Sequence, residues 1–345
     1  METQTRTSDW RISTLGTAVL QSRFRVLQRP ATPFELMDDA ISYYRENFQP
    51  LLRISLWIYI VPLVASIVLT VPALVMSRSP ESVALFNLLD FVLLILFYLP
   101  YLMIATPVHA ALTTLAFRMI AEGEPITWQG LWQRLKPRLG TLLVNQLLLA
   151  NPLYALIVLV LGLGYLVFFF VAATFAGIAA SGSPTLSVIL FMALLVGGSL
   201  AFLVIAAMVL VWFIILPQII VLEPNVGAFS AFSRAYRLIS ANYKHAVLSC
   251  LTFWGVYAVI SIALTILVGL LLVIAGWIIA IYTDLEALLT RWIAPLGQIY
   301  EAGTYLAYML VMPAMYLTSV LLYFDLRYRL EGLDIYAVLQ GREAG

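Results

Sequence analysis

Two carboxylates, Asp90 and Glu301, lie within apolar blocks that are candidates for membrane spans. Ionisable side chains inside a span are costly, and they are functional candidates by default. On neighbouring spans the two groups could share a proton, bind a cation or form a structural ion pair with Arg78 or Arg291. The alternative is that both lie in the headgroup region and only mark the ends of spans.

The histidines and the cysteine stand apart from other groups that ligate metals. His109, His245 and Cys250 have no such partner near in sequence, whereas metal sites need clustered His, Cys, Asp or Glu at short spacing. We interpret Cys250 as a small buried hydrophobe, and His109 as a partner for a carbonyl freed by a proline or for the interface. No nucleotide-binding, hydrolase or metalloprotease motif is present. The sequence therefore predicts no catalytic, cofactor-binding or metal-binding residues, and a protein that is not an enzyme.

Basic residues cluster beside aromatic segments at the expected membrane edges. They are Arg134, Lys136, Arg138, Arg234, Arg237 and Lys244. A Lys or Arg near an anionic membrane surface contributes about 1 kcal/mol of attraction, so the six are candidate contacts for lipid headgroups. The alternative is that they only set the orientation of the spans, because cytoplasmic loops are enriched in Lys and Arg.

The composition is that of an all-α membrane protein with several spans, and the helices of such a protein must position these groups. Of 345 residues, 63% are hydrophobic and 11% are charged, against roughly 45–50% and 25% in soluble domains. About 20 apolar residues cross the hydrocarbon core as a helix. The net charge of +1 gives no indication of a nucleic-acid partner. Six apolar blocks predict six transmembrane helices, near 54–76, 84–117, 140–180, 185–222, 246–282 and 295–324.

The distribution of basic residues predicts the orientation of these spans. With six spans and both termini cytoplasmic, 17 of the 19 basic residues lie on the cytoplasmic side. An extra span in block 140–180 would move Arg234, Arg237 and Lys244 outside and spoil this asymmetry, so we predict six spans. Within this block, the stretch 165–180 could span the membrane, re-enter it or lie at the interface. We interpret the polar residues of the same block as separate interhelical hydrogen bonds; they are Asn145, Gln146 and Asn151.

An amphipathic segment precedes the first, third and fifth spans. In the first segment, Thr32 and Glu35 can form a capping box, and one apolar stripe contains Phe34, Met37, Ile41, Tyr44 and Phe48. The spacing recurs at an offset of 91 in Trp128, Trp132, Leu135 and Leu139, and at 195 in Phe229, Phe232, Tyr236, Ile239 and Tyr243. The returning spans carry Pro107, Pro217 and Pro313, which we expect to kink the helices.

These patterns predict three related units, each an interfacial helix followed by a helical hairpin. The units cover about 33–122, 124–222 and 226–330 of a membrane domain at 32–330. A poorly ordered cytoplasmic tail is expected at 1–31, and a second cytoplasmic tail at 331–345.

Four segments resemble those of one family of prokaryotic membrane proteins. They are FELMDDAISYYRENFQPLLRISL at 34–56, PVHAALTTLAFRMIAEGEPITWQGLWQRLKPRLG at 107–140, ILPQIIVLEPNVGAFSAFSRAYRLISANY at 215–243 and LLYFDLRYRLEGLDI at 321–335. The family is named for the membrane domain of glycerophosphoryl diester phosphodiesterases. The resemblance implies a six-span helical domain in a prokaryotic cell membrane. It does not imply an enzyme, because relatives that hydrolyse phosphodiesters use a separate soluble barrel domain, and only about 20 residues follow the last span here.

Two classes of function fit this sequence. Our prediction is a non-enzymatic scaffold or partner subunit of a membrane assembly, associated with membrane lipids and with another membrane or peripheral protein. It accounts for the missing catalytic groups and for the basic, aromatic cytoplasmic face. The alternative is a transporter or permease-like protein with a pathway between the three kinked helices, which would need polar groups facing a cavity.

Overall fold

A computed structural model describes residues 30–76, 88–89, 92–150, 211–282 and 293–331, with scattered positions between 164 and 208. Within these residues all regular structure is helical. The helices with described bounds are α1 (Pro33–Glu46), α2 (Phe48–Met76), α3 (Leu99–Ala121), α4 (Trp128–Val144), α5 (Leu216–Leu222), α6 (Ala228–Ala241), α7 (Tyr243–Tyr282) and α8 (Ile293–Glu331). A π-helical turn precedes α3 (Leu94–Tyr98), another follows α4 (Asn145–Ala150), and a 3₁₀ turn precedes α5 (Val211–Phe213).

Four of the described helices are long and apolar enough to cross a membrane. The apolar stretches are Phe48–Thr70, Leu96–Ala121, Tyr243–Ile278 and Leu296–Glu331. They confirm an all-α membrane protein, and they coincide with the first, second, fifth and sixth predicted spans. Most of the predicted third and fourth spans lies outside the described residues.

Helix α8, the last of the described helices, is the centre of the described packing. It packs most extensively along α2 and also contacts α1, α3, α5 and α7. The hairpin of α2 and α3 is antiparallel, since Ser55 meets His109 and the Tyr101 hydroxyl donates to the Ile58 carbonyl. The hairpin of α7 and α8 is antiparallel in the same way. The starts of α2 and α7 therefore lie at the same end as the ends of α3 and α8, and we call this the charged end.

The predicted amphipathic segments are helices α1, α4 and α6. The capping box of α1 is present: the Thr32 N–H donates to Glu35 Oε2 at 2.8 Å, and the Glu35 N–H donates to Thr32 Oγ1 at 3.3 Å. Helices α1 and α6 are each 14 residues long, and each ends at an asparagine, Asn47 or Asn242, directly before the next helix. These two joints are 195 residues apart, which is the offset of the apolar stripes.

Helix α4 follows a different register. Its N-cap is Thr127, which lies 95 residues after the α1 N-cap Thr32, rather than 91. It also continues into the π-helical turn Asn145–Ala150 with no break like those at Asn47 and Asn242. Aligning the first two segments by their N-caps therefore gives an offset of 95 residues, whereas aligning them by their apolar stripes gives 91.

The apolar stripes lie only partly in the faces that pack against the bundle. In α1 the packed residues are Leu36, Ala40 and Tyr43, whereas Phe34 and Phe48 are 66% and 40% exposed. Small side chains such as Ala40 let the helices approach closely, and Phe34 and Phe48 stay on the outer side, whereas Tyr43 is packed. The aromatic residues in the first turns of the other two helices, Trp128 and Phe229, are likewise exposed. Of all the stripe residues, only Leu135 and Ile239 are fully buried.

The three prolines do not occupy equivalent positions. Pro107 and Pro313 lie inside α3 and α8, where kinks were expected. Pro217 instead lies in the first turn of α5, directly after residues 211–215 have broken the helix. A proline there removes no helical hydrogen bond, so the expected kink within a continuous helix is wrong for Pro217.

Gly303 of α8 provides a test of the packing against α7. A Cβ added at Gly303 would lie 2.5 Å from Val268 Cγ1, and valine in a helix has one strongly preferred rotamer. We expect Gly303→Ala to lower the free energy of unfolding by about 1–2 kcal/mol, measured as a lower melting temperature in mild detergent.

Gly255→Ala on α7 is the matched control, because its added Cβ would meet nothing within 4 Å. Alanine has the higher helix propensity, so this control should melt at or above the wild-type temperature. The double variant Val268→Ala/Gly303→Ala should recover part of the loss. A Gly303→Ala protein as stable as wild type would contradict the close approach.

Candidate functional site

Asp325 joins three separate parts of the chain at the charged end. It has no exposed surface, and its Oδ2 lies 2.8 Å from Arg329 Nε and 2.7 Å from His245 Nε2. Its Oδ1 accepts a 2.9 Å hydrogen bond from the Ala31 N–H, and Arg329 donates to the Ala31 carbonyl at 2.7 Å. Because Ala31 is only 1% exposed, the folded region begins before the predicted boundary at residue 32.

Glu122, directly after α3, links α3 to α4. Arg118 Nε lies 2.7 Å from Glu122 Oε1, and Arg134 Nη1 of α4 lies 2.5 Å from Glu122 Oε2. Arg134 Nη2 also pairs with Glu124 at 2.6 Å. Burial opposes ionisation of Glu122, but hydrogen bonds from Arg118 and Arg134 outweigh it, so the pKa of Glu122 is lower than usual. Glu122 therefore stays a carboxylate at neutral pH and fixes both arginines.

Arg234 of α6 connects the ends of α5 and α8 in a similar way. Its Nε lies 2.9 Å from Glu223 Oε1, and its Nη2 contacts Glu331 Oε1. Glu331 also pairs with Arg327 at 2.8 Å, and the Tyr323 hydroxyl donates to Glu223 at 3.0 Å. This network therefore ties α6 to the bundle by charged hydrogen bonds from two elements.

The two networks share an arrangement that our sequence analysis missed. Arg118–Glu122 and Arg327–Glu331 are both pairs with i, i+4 spacing at the end of a returning helix. Each glutamate takes its second partner from an arginine seven residues after a helix N-cap, Arg134 after Thr127 and Arg234 after Gly227. An Arg-x-x-x-Glu motif at the end of an apolar block was the available signal.

The six predicted headgroup contacts divide into two groups. Arg134 and Arg234 are engaged in the ion pairs above. The other four are exposed or half-buried, and none forms an ion pair with a described residue; they are Lys136, Arg138, Arg237 and Lys244. These four cations therefore remain available to external anions.

Of the two predicted intramembrane carboxylates, only Glu301 is among the described residues. It is half-buried on α8, and its Oε1 accepts a hydrogen bond from the Tyr305 hydroxyl at 3.0 Å. Tyr305 in turn stacks on Tyr98 with the ring centroids 6.4 Å apart. A tyrosine partner was not among the predicted alternatives. Asp90 lies outside the described residues, as do Arg78 and Arg291.

His109 lies in a buried polar cluster between the spans. Its Nε2 is 2.9 Å from the Ser55 hydroxyl oxygen, and its ring packs edge-on against Tyr59 and Tyr316. The prediction of a freed carbonyl or interfacial partner is wrong, because helix α2 supplies a hydroxyl at that level. Cys250 is fully buried, as expected. Among the described residues no cluster of three or more His, Cys, Asp or Glu could hold a metal ion.

Two of the predicted interhelical amides are described. Asn145 Nδ2 donates to the Ala228 carbonyl at the start of α6, at 2.6 Å, which confirms an interhelical bond. Gln146 instead donates to the Asn145 side chain at 3.3 Å. The prediction of a separate bond is therefore wrong for Gln146, and Asn151 lies outside the described residues.

Comparisons of the chain with family models, curated proteins and solved structures find no match. The resemblance to the family of prokaryotic membrane proteins therefore stays a prediction.

Arg234 allows the importance of the charged end for stability to be measured. We expect Arg234→Met to lower the free energy of unfolding by about 2 kcal/mol, because Glu223 and Glu331 lose charged hydrogen bonds while partly buried. Arg237→Met removes the same charge from an exposed position on α6 and should change stability little. Thermal unfolding in mild detergent measures both, and equal melting temperatures for the two variants would contradict this role of Arg234.

Proposed function

We propose that this protein is a non-enzymatic scaffold or partner subunit of a membrane assembly, associated with membrane lipids. The observation that carries the proposal is the exposed aromatic residue in the first turn of each interfacial helix. Phe34, Trp128 and Phe229 are 66%, 49% and 74% exposed. Amphipathic helices with aromatic residues on one face are typical of membrane interfaces and of protein docking.

The way these three helices are held supports the proposal. Helix α4 is fixed through Arg134 and α6 through Arg234, while Asp325 holds the residue before the α1 N-cap. The opposite faces of the helices pack in the hydrophobic core. Rigid support lowers the entropy lost when a surface binds a partner, so these helices present their aromatic residues in a preorganised form.

We also propose six spans in three related units, with the charged end in the cytoplasm. The first and third units support the repeat, because positions related by 195 residues are buried in both; examples are Leu36 and Ala231, Ala40 and Ala235, Tyr43 and Leu238, and Leu51 and Ala246. The Lys and Arg residues of the charged end support the orientation. A place in the family named for the phosphodiesterase membrane domain is part of this proposal, and so is a prokaryotic cell membrane.

A transporter is the second candidate, and the polar cluster around His109 is the observation that favours it. Ser55, His109 and Tyr316 are buried between α2, α3 and α8. However, these side chains pack against one another. Pro217 also does not kink a continuous helix, as the proposed pathway between three kinked helices required. The scaffold proposal accounts better for the exposed aromatic residues.

A photo-crosslinking amino acid in place of Phe229 tests the scaffold proposal in native membranes. We expect a discrete protein adduct from position 229, and also from positions 34 and 128. Val259 is the matched control, because it is 67% exposed on the apolar stretch of α7 and should give lipid adducts only. Lipid adducts alone from all four positions would contradict a partner protein, and the adducts are identified by mass spectrometry.

The orientation is tested by single cysteines in a Cys250→Ala background. We expect cysteines at Ser79, Ser183 and Thr283 to react with an impermeant thiol reagent in intact cells, because the six-span prediction places them outside. Cysteine at Ser233 of α6 should react only after the cells are broken. Labelling at Ser233 together with protection at Ser183 would overturn the six-span proposal.

A further inference from the structure

A cavity of about 250 Å³ lies at the charged end between α3, α4 and the end of α5. One part of its lining is apolar and comes from α3, α5 and the turn after α5. The other part comes from three arginines, Arg118, Arg134 and Arg138. A pocket lined by several arginines and an apolar wall fits an anion attached to an apolar or weakly polar group.

The ion pairs around this cavity leave nitrogen donors free. Arg118 uses its Nε for Glu122, and Arg134 uses both Nη groups for Glu122 and Glu124. Both Nη groups of Arg118 have no acceptor among the described residues, and the Arg138 guanidinium has no ion-pair partner there. Three cations face two carboxylates, so the cavity keeps an excess of one positive charge.

The same ion pairs hold the arginines in place before any ligand arrives. Glu122 fixes the guanidinium groups of Arg118 and Arg134 on neighbouring helices. Arg138 follows Arg134 by one helical turn on α4, and it lines the same cavity. A fixed guanidinium group loses less side-chain entropy on binding, and its planar array of donors matches phosphate oxygens.

We propose that this cavity binds a phosphate group, with Arg138 and the free nitrogens of Arg118 as its donors. The volume lies below the roughly 300–1,000 Å³ of pockets for drug-sized ligands, so it suits one phosphate and the atoms next to it. A phospholipid headgroup and free phosphate share this chemistry, and the apolar wall contacts whatever the phosphate is attached to. This inference deepens the lipid association in the proposed function. It rests on that association only if the phosphate belongs to a phospholipid headgroup.

The test uses the purified full-length protein in a neutral detergent. Binding of inorganic phosphate, of dihexanoyl phosphatidic acid and of dihexanoylglycerol is measured by titration calorimetry and by the shift in melting temperature. Arg138→Gln removes a donor without breaking an ion pair among the described residues. Lys136→Gln is the matched control, since it removes one positive charge from an exposed position on α4 that does not line the cavity.

We expect saturable binding of at least one phosphate compound, weakened tenfold or more by Arg138→Gln and by less than twofold by Lys136→Gln. Binding of inorganic phosphate identifies free phosphate as sufficient, whereas binding of phosphatidic acid alone identifies a lipid headgroup. Arg138→Lys should retain part of the affinity, because it keeps the charge but loses the planar array of donors.

Three results would overturn the phosphate site. They are no binding of either phosphate compound, equal weakening by Arg138→Gln and Lys136→Gln, and binding of dihexanoylglycerol as tight as that of phosphatidic acid. The melting temperature of each variant without ligand shows that it is folded. Because the scaffold proposal is tested at Phe34, Trp128 and Phe229, failure of one proposal is distinguishable from failure of the other.

Discussion

Asp325 is removed from water at the end of α8, and a buried carboxylate is costly unless charged or polar donors surround it. Arg329 and the Ala31 N–H supply these donors, and His245 Nε2 lies 2.7 Å from the same carboxylate. Glu122 and Glu331 follow the same rule, with two arginines each. The requirement to satisfy these carboxylates thus links α1 and α6 to the end of α8, and α4 to the end of α3.

This requirement separates the basic residues of the charged end by their roles. Arg134 and Arg234 are held by carboxylates, so they contribute to the fold. Arg138 and Lys136 have no such carboxylate in the described part of the chain, and they differ in that Arg138 lines the cavity whereas Lys136 is exposed elsewhere on α4. Basic residues that lie close together in the sequence therefore differ in the structure: some contribute to the fold, one lines the cavity and one is exposed to solvent.

Patterns with a local physical cause were predictable from the sequence. The long apolar blocks and the capping box of α1 depend on neighbouring residues, and the structure has both. The packed faces of α1, α4 and α6 were not predictable, because they depend on tertiary contacts: α1 packs against α7 and α8 with Leu36 and Ala40 buried and Phe34 exposed.

The candidate site was predicted only in part. The basic residues were found, because their charge and their place beside aromatic segments are visible in the sequence. Their carboxylate partners were missed, since Arg234 and Glu331 are 97 residues apart and meet only through tertiary packing. The partner of His109 was missed for the same reason, because Ser55 lies on another span.

The central position of α8 has a consequence for synthesis. The chain emerges from the ribosome with its N-terminus first, yet α1, α2, α3 and α7 all pack against a helix that is made after them. Ala31 is synthesised 294 residues before Asp325, whose side chain accepts the hydrogen bond from its N–H. During translation α1, α2 and α7 are therefore made before the helix against which they pack most extensively, and a chain that stops before α8 lacks the carboxylate that accepts the hydrogen bond from the Ala31 N–H.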